Sequence, residues 1–379
     1  MNILFIVPYY KPAYIYGGPI VVIARLAETL VAMGHIVTVY TSTANGDNEL
    51  SVVPGAATLV DGVTVHYFTR VTGDNTNASP ALWQQLNHTA KSFDVIHIHS
   101  WWNFLVLGAA WVCKRHNIRP IVSPHGMLSD YILTANNALK KKVIHKVLGK
   151  RLLTNSIVHV STPMEWEESQ KIVSGWRGRI IPNLVNLPSE LHERHDSETF
   201  TIGFLSRVDP KKGLDILLKA LKNVASPCRL LIAGAGSEEY TEELKSLAIS
   251  IGVADKIEWV GWKNGEAKFE FFANLDLFAL TSHSENFAIV VIEALATGTP
   301  VMISEHVGLF QYIQAQDYGW VTTLNPAEVA VTIEAAIQDK QKRQRITATA
   351  PIAIRAEYDD KHLAQQYLDL YTDSLHKQV

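Results

Sequence analysis

The chain has 379 residues, of which 47% are hydrophobic and 19% charged, with a formal net charge of −3. That length exceeds one ordinary core and suits two domains of roughly 180 residues each. The charge offers no general pull toward nucleic acid, and no stretch approaches the ~18 uninterrupted apolar residues of a membrane span. The two cysteines, Cys113 and Cys228, fall in different predicted domains, which argues against a structural disulfide and suits a reducing, cytoplasmic compartment.

The amino terminus, residues 1–7, is apolar but has no basic segment before it and is interrupted by Pro8, so it reads as a first strand and not as a leader. Tyr16-Gly17-Gly18-Pro19 then marks a turn ahead of a helix predicted over 20–33. Short β-branched runs at 3–7, 36–40, 95–98, 121–123 and 157–160 alternate with segments of helical period, which is the rhythm of a parallel α/β domain. A linker is expected over 182–199, opening with Pro182-Asn183-Leu184-Val185-Asn186-Leu187-Pro188 and continuing as a polar run. The strand rhythm restarts at 201–205, 229–233, 257–260, 275–280 and 301–303. Two Rossmann-like halves follow, 1–183 and 184–359. The last segment carries Leu363, Tyr367, Leu370 and Tyr371 at helical spacing.

Chemistry concentrates at strand ends. The stretch from Ser284 to Pro300 places Glu285 and Glu293 eight residues apart after an apolar strand, with Asn286 as the expected N-cap and Gly298 and Pro300 ending the helix. Eight residues along one helix rotate the second acid roughly 80° from the first, so both reach one ligand only if Glu285 lies on the turn. Ionised carboxylates at such a place suit hydroxyl groups, the alternative being two solvated helix charges. Arg207 and Lys212, just before Gly213, put two cations at a helix start, either an anion site or a solvated basic turn. Gly17 and Gly18 permit close backbone approach to a phosphate or sugar, or make a simple tight turn.

His125, in Pro124-His125-Gly126-Met127-Leu128, follows a strand directly. His97 and His99 share one strand face, but spacing supplies no third ligand and the chain contains no Asp-x-Asp, so no metal site is expected. Trp101 and Trp102 read equally as core or as a stacking surface for a sugar. Gly234 and Gly236 begin a dinucleotide fingerprint whose third glycine position holds Glu239, which weakens a dehydrogenase reading. The run 139–151 is basic and amphipathic: a core-packing helix with a solvated face, or a contact with anionic lipid.

Taken in order, the glycine turn, His-Gly-Met-Leu, the Arg/Lys-Gly segment and Glu-x7-Glu with its Gly-x-Pro ending resemble the family 4 retaining glycosyltransferases. Ala288 stands where that family usually has glycine, and Leu184 and Asn186 depart from its linker. The resemblance implies the GT-B fold, two Rossmann-like domains with parallel sheets facing a central cleft, and a last helix, 360–379, packed back on the first domain. It implies that Glu293 holds ribose hydroxyls, that Glu285 with the backbone of Asn286, Phe287 and Ala288 holds the sugar, and that Arg207 and Lys212 stabilise the leaving diphosphate. His125 lies beside the transferred sugar, Gly17 and Gly18 border the donor phosphate, and Gly234 and Gly236 lie near the nucleotide. The expected protein is a metal-independent hexosyltransferase with no cofactor beyond its nucleotide-sugar substrate, preferably UDP-glucose. Its acceptor is a glycan or lipid-linked sugar of polysaccharide biosynthesis, and it is cytoplasmic, with 139–151 as a peripheral contact at the inner membrane face. The rivals are a nucleotide-sugar epimerase of the same architecture and a non-catalytic carbohydrate-binding protein.

Overall fold

The computed structural model describes residues 1–73, 76–134, 144, 148–190 and 199–376. It divides into two compact units, Met1–Leu184 with Tyr358–Val379, and Val185–Glu357.

The first unit is built on a sheet in the order β10-β9-β8-β7-β1-β2-β6-β5. Its strands are β1 (Asn2–Ile6), β2 (Ile36–Ser42), β5 (Ala57–Val60), β6 (Val63–Phe68), β7 (Val95–His99), β8 (Ile121–Ser123), β9 (Ile157–Val160) and β10 (Gly178–Ile180), with a small hairpin of β3 (Ala44–Asn45) and β4 (Asn48–Glu49) beside it. The pairing is parallel throughout except for β5, which runs antiparallel to β6. β7 is buried along its whole length, as expected of a central parallel strand covered on both faces. β5 and β6 escaped the strand pattern because β6 alternates half-buried and buried residues instead of forming an apolar run. The signal present was Asp61-Gly62, both at positive φ, a pairing typical of tight hairpins.

The second unit holds a wholly parallel sheet in the order β13-β12-β11-β14-β15-β16. Its strands are β11 (Phe200–Leu205), β12 (Cys228–Ala233), β13 (Ile257–Trp259), β14 (Leu277–Leu280), β15 (Val301–Ser304) and β16 (Gly319–Thr322). In each unit the strand order reverses beside the first strand, β1 or β11, and in open α/β sheets ligands bind at the carboxyl ends of strands near such a reversal.

The last helix, Asp360–His376, belongs to the first unit. It buries Leu363, Tyr367 and Tyr371, and its ends are tied by ion pairs from Arg25 to Asp360 and from Arg179 to Asp373. A buried hydrogen-bond chain anchors it to the sheet. His159 Nε2 lies 2.9 Å from the Ile181 carbonyl, which can only accept, so that nitrogen carries the proton. The directions then follow: the Ser123 hydroxyl donates to His159 Nδ1 at 2.6 Å, His97 Nε2 donates to Ser123 Oγ at 2.6 Å, and the Tyr371 hydroxyl donates to His97 Nδ1 at 2.9 Å. Each imidazole in the chain is thus neutral with its tautomer set. Burial pushes His159 down to about 4 and, with repulsion from the other histidines, holds His97 and His99 well below the usual histidine range.

Two measurements check this anchor. Tyr371→Phe leaves the buried His97 Nδ1 without its donor and is expected to cost about 1–3 kcal/mol in denaturant unfolding. The histidines supply an acid dependence whose sign follows from their lowered folded values. The unfolded chain binds protons first as pH falls below about 6.5, so stability is complete above that pH and is lost below it. Each of His97, His99 and His159 is expected to contribute up to about 1.4 kcal/mol per pH unit between pH 6 and 4, and a flat unfolding free energy across that window would contradict the neutral chain.

Candidate functional site

In the second unit two loops at the carboxyl ends of neighbouring strands are laced together. The first follows β11 and runs through Arg207 to Gly213; the second follows β14 and runs from Thr281 to Ala288. The Thr281 hydroxyl donates to the Gly213 carbonyl at 2.8 Å, and the His283 N–H donates to the Lys211 carbonyl at 2.8 Å. Gly213 adopts φ 64°, and a β-carbon there would sit 2.0 Å from the Thr281 carbonyl oxygen, so only glycine permits the approach. The second loop is pinned from its other side, because Glu285 donates its N–H to the His306 carbonyl at 3.0 Å and accepts from the Gly308 N–H at 2.8 Å.

This lacing brings Lys212 and Glu285 into an ion pair, each side chain 15% exposed. Lys211 is half-buried and pushed below the usual lysine range by desolvation, with Lys212 and Arg207 adding repulsion and Glu285 and Asp209 opposing them. Arg207 is exposed at the same loop, with no carboxylate partner among the described residues. Three cations, Arg207, Lys211 and Lys212, therefore share a small region with two carboxylates, Glu285 and Asp209, the latter accepting from the Lys211 N–H at 2.9 Å, and the net positive charge suits an anion carrying hydroxyl groups.

The helix after this loop corrects one expectation. It spans Ile289–Ala296, and its N-cap is Ala288, not Asn286. Ala288 takes the left-handed conformation, φ 63° and ψ 72°, with no side-chain cap. The chain turns so sharply out of the Glu285 segment that this residue must enter the left-handed region, where glycine is at home and alanine is strained. Glu293 accordingly lies little more than one turn into the helix. It is 4% exposed and ion-paired to Lys268 of the helix Gly265–Ala273. Burial raises its carboxyl above the usual range, and the Lys268 ammonium opposes that rise. Lys268 is the residue that sequence reasoning missed, because its partner lies 25 positions away on another helix and no local spacing marks the pair.

Gly234 and Gly236 have a packing cause. A β-carbon on Gly234 would lie 2.3 Å from the Ser206 carbonyl oxygen, and one on Gly236 would lie 2.0 Å from that of Val208. Their backbone continues the β11 and β12 pairing past the strand ends, with the Val208 N–H donating to the Ala235 carbonyl at 2.8 Å. Phe287 is buried beside the turn.

In the first unit, Gly17 is the N-cap of a helix spanning Gly18–Ala32, at φ 83°, with no side-chain cap. The helix thus begins two residues earlier than its apolar period suggests, with the Gly17 N–H donating to the Tyr14 carbonyl at 3.0 Å, no N–H on Pro19 and the Ile20 N–H donating to the Gly17 carbonyl at 3.3 Å. His125 lies on the turn after β8 at φ 52°, and its Nε2 is 3.1 Å from His99 Nδ1 with the two rings stacked. Burial pushes its imidazole below the usual range, so it is neutral at physiological pH. Trp101 is buried in the core, and the half-buried Trp102 donates from Nε1 to the Met127 carbonyl at 2.6 Å, which ties it to the His125 segment. Among the described residues no three or more His, Cys, Asp or Glu side chains are grouped to hold a metal, and no helix is long and apolar enough to cross a membrane. The basic run 139–151 falls largely outside the described residues.

Residues 17–183 match the glycosyl transferase 4-like domain and residues 190–352 match glycosyl transferases group 1. Side by side these matches account for both units, and the chain is a glycosyltransferase of the GT-B type. An uncharacterized glycosyltransferase of Methanocaldococcus jannaschii is 25% identical over 74% of this chain and 75% of its own. The D-inositol 3-phosphate glycosyltransferase of Stackebrandtia nassauensis is 24% identical over 96% of this chain and 88% of its own. Among solved structures, sucrose-phosphate synthase from Thermosynechococcus elongatus superposes with a TM-score of 0.77 at 17% identity, covering 100% of both chains. Anabaena HepE in complex with UDP and glucose gives 0.75 at 20% identity, covering 98% of this chain and 100% of that one. These structures share the GT-B fold with this chain.

The left-handed Ala288 yields a direct test. Ala288→Gly removes a steric cost of about 1–2 kcal/mol and gives back part of it as unfolded-chain entropy, for an expected net gain of roughly 0.5–1 kcal/mol. Thermal unfolding of the variant at or below the parent temperature would show that the turn is not strained.

Proposed function

We propose that the protein is a retaining hexosyltransferase of family 4 type, moving a sugar from a nucleoside diphosphate donor to a glycan or lipid-linked acceptor in polysaccharide assembly, without a divalent ion. The observation that carries this reading is the cationic loop of Arg207, Lys211 and Lys212 laced to the Glu285 turn, with the buried Glu293 one helical turn beyond. A leaving diphosphate accumulates negative charge as the bond to the sugar breaks, and guanidinium and ammonium groups placed beforehand stabilise it most where water is excluded. Arg207 and Lys212 take that role.

Glu293, paired with Lys268, accepts from the two ribose hydroxyls. Glu285 and the backbone of Asn286, Phe287 and Ala288 hold the hexose. Gly17, whose N–H is taken by the Tyr14 carbonyl at 3.0 Å, and Gly18 let the backbone come close to a donor phosphate, and Gly234 and Gly236, whatever their packing cause, lie beside the nucleotide. His125, neutral and hydrogen-bonded to His99, holds a sugar hydroxyl and does not attack the anomeric carbon. In the transfer itself the acceptor oxygen bonds to the anomeric carbon as the bond to the β-phosphate oxygen breaks. The acceptor proton passes to that departing phosphate oxygen on the same face, so no protein base is consumed and configuration is retained.

UDP-glucose is the preferred donor, a choice supported by the UDP and glucose bound to HepE, which shares the fold. The protein works in the cytoplasm, and a peripheral contact of 139–151 with the inner membrane face is the second reading beside a core-packing helix with a solvated basic face.

Thermal melts in EDTA with UDP, GDP, UDP-glucose and GDP-mannose test the reading. A ligand at 100 times its dissociation constant adds about 2.7 kcal/mol, enough to raise the melting temperature by several degrees. The expected result is a metal-free shift with the uridine series that disappears in Glu293→Ala. A guanosine series in its place would change the base, conversion of UDP-glucose without an acceptor would favour the epimerase, and the absence of any nucleotide shift on folded protein would favour glycan binding alone.

A further inference from the structure

His125 and Gly126 are consecutive residues in the left-handed region, at φ 52° and 76°. A residue with a β-carbon persists there only when its surroundings hold it, so the turn that presents the imidazole needs a restraint. Trp102, Nε1 bonded to the Met127 carbonyl, grips the turn after it, and His99 grips the ring. The peptide between them has its own clamp. The Gly126 N–H donates to Glu165 Oε1 at 2.7 Å, while Glu165 Oε2 accepts from the Ser161 N–H at 2.9 Å and from the Ser161 hydroxyl at 3.2 Å.

Glu165 is built to hold that position. It is 2% exposed and lies in the first turn of the helix Pro163–Ile172, where its own N–H donates to the N-cap Thr162 Oγ1 at 3.2 Å. The sequence Thr162-Pro163-Met164-Glu165 has the Thr-x-x-Glu spacing of a capping box, in which the glutamate turns back toward the start of its helix. Here one oxygen turns back to the end of β9 and the other crosses to the loop after β8. A carboxylate that only closed a helix would have no reason to span two strand ends.

We propose that Glu165 is a positioning residue for the glycosyl transfer, clamping the His125-Gly126 turn through the Gly126 amide and thereby fixing where the imidazole stands. This rests on the reading that His125 works beside the transferred sugar. The clamp on the turn depends on reach: a glutamine still presents an oxygen to the Gly126 N–H, giving up only the bond that its amide group cannot accept from the Ser161 N–H, whereas aspartate keeps the charge but is one carbon too short to meet both.

The test compares Glu165→Gln, Glu165→Asp and His125→Ala in the full chain. Amide exchange at Gly126 is followed by NMR, UDP affinity by titration, and kcat and KM by UDP release from UDP-glucose. Misplacing a reacting group by about 1 Å costs on the order of a hundredfold in rate. Glu165→Asp is therefore expected to speed Gly126 exchange and lower kcat about tenfold or more, with UDP affinity and KM within about twofold of the parent, while Glu165→Gln stays within about threefold throughout. Unchanged Gly126 exchange in Glu165→Asp overturns the clamp whatever donor is used. Full turnover in Glu165→Asp with an inactive His125→Ala overturns the role of Glu165 alone. Full turnover in His125→Ala removes the reading of His125 and the role of Glu165 with it. Equal losses in kcat and UDP affinity for both Glu165 variants would mark a general structural defect and also overturn the proposal.

Discussion

The hydrogen bond from Tyr371 to His97 joins the last helix of the chain to a central strand of the first sheet, and much of the first unit is arranged to make it tenable. A buried imidazole is expensive unless both ring nitrogens are satisfied. His97 meets that requirement by facing Tyr371 on one side and Ser123 on the other, and Ser123 passes the demand on to His159 and finally to the Ile181 carbonyl. The chain thus crosses β7, β8 and β9 at the end of the sheet from which the His125 turn departs. The His125 turn therefore projects from strands whose ends are already locked.

The second unit solves a different electrostatic problem. Two of its carboxylates are partly or wholly withdrawn from water, and each has an ammonium partner, Lys212 for Glu285 and Lys268 for Glu293. Pairs of this kind contribute little net stability, since desolvation offsets much of the attraction. In the proposed transfer their value is chemical: a carboxylate held in place accepts hydroxyl groups, and an ammonium group beside it stands where a diphosphate would draw it. Arg207, Lys211 and Lys212 set against Glu285 and Asp209 leave that loop with a net positive charge.

Among the eight described non-glycine residues at positive φ, His125 and Ala288 stand one at each of the two candidate centres. In each case tertiary contacts supply the restraint: Glu165 and His99 around the first, the lacing of the Glu285 turn around the second. Backbone strain of this sort persists where the surroundings over-determine it, and it keeps a functional group from relaxing into an ordinary turn.

The amino-acid sequence by itself determined the two α/β halves, the central strands and the strand-end placement of His125, Arg207, Lys212, Glu285 and Glu293, because apolar runs and glycine turns are local signals that survive without knowledge of contacts. It also held the Glu-x7-Glu and His-Gly-Met-Leu strings on which the resemblance to the family rests. It did not disclose β5, β6, β10 and β16, whose short or alternating patterns are stabilised by neighbours. Nor did it disclose the start of the Glu293 helix at Ala288 or the packing cause of Gly234 and Gly236. Lys268 and Glu165 remained invisible for the same reason. Their partners are 25 and 39 positions away, and only the tertiary structure decides which distant groups share a buried space and must satisfy one another there.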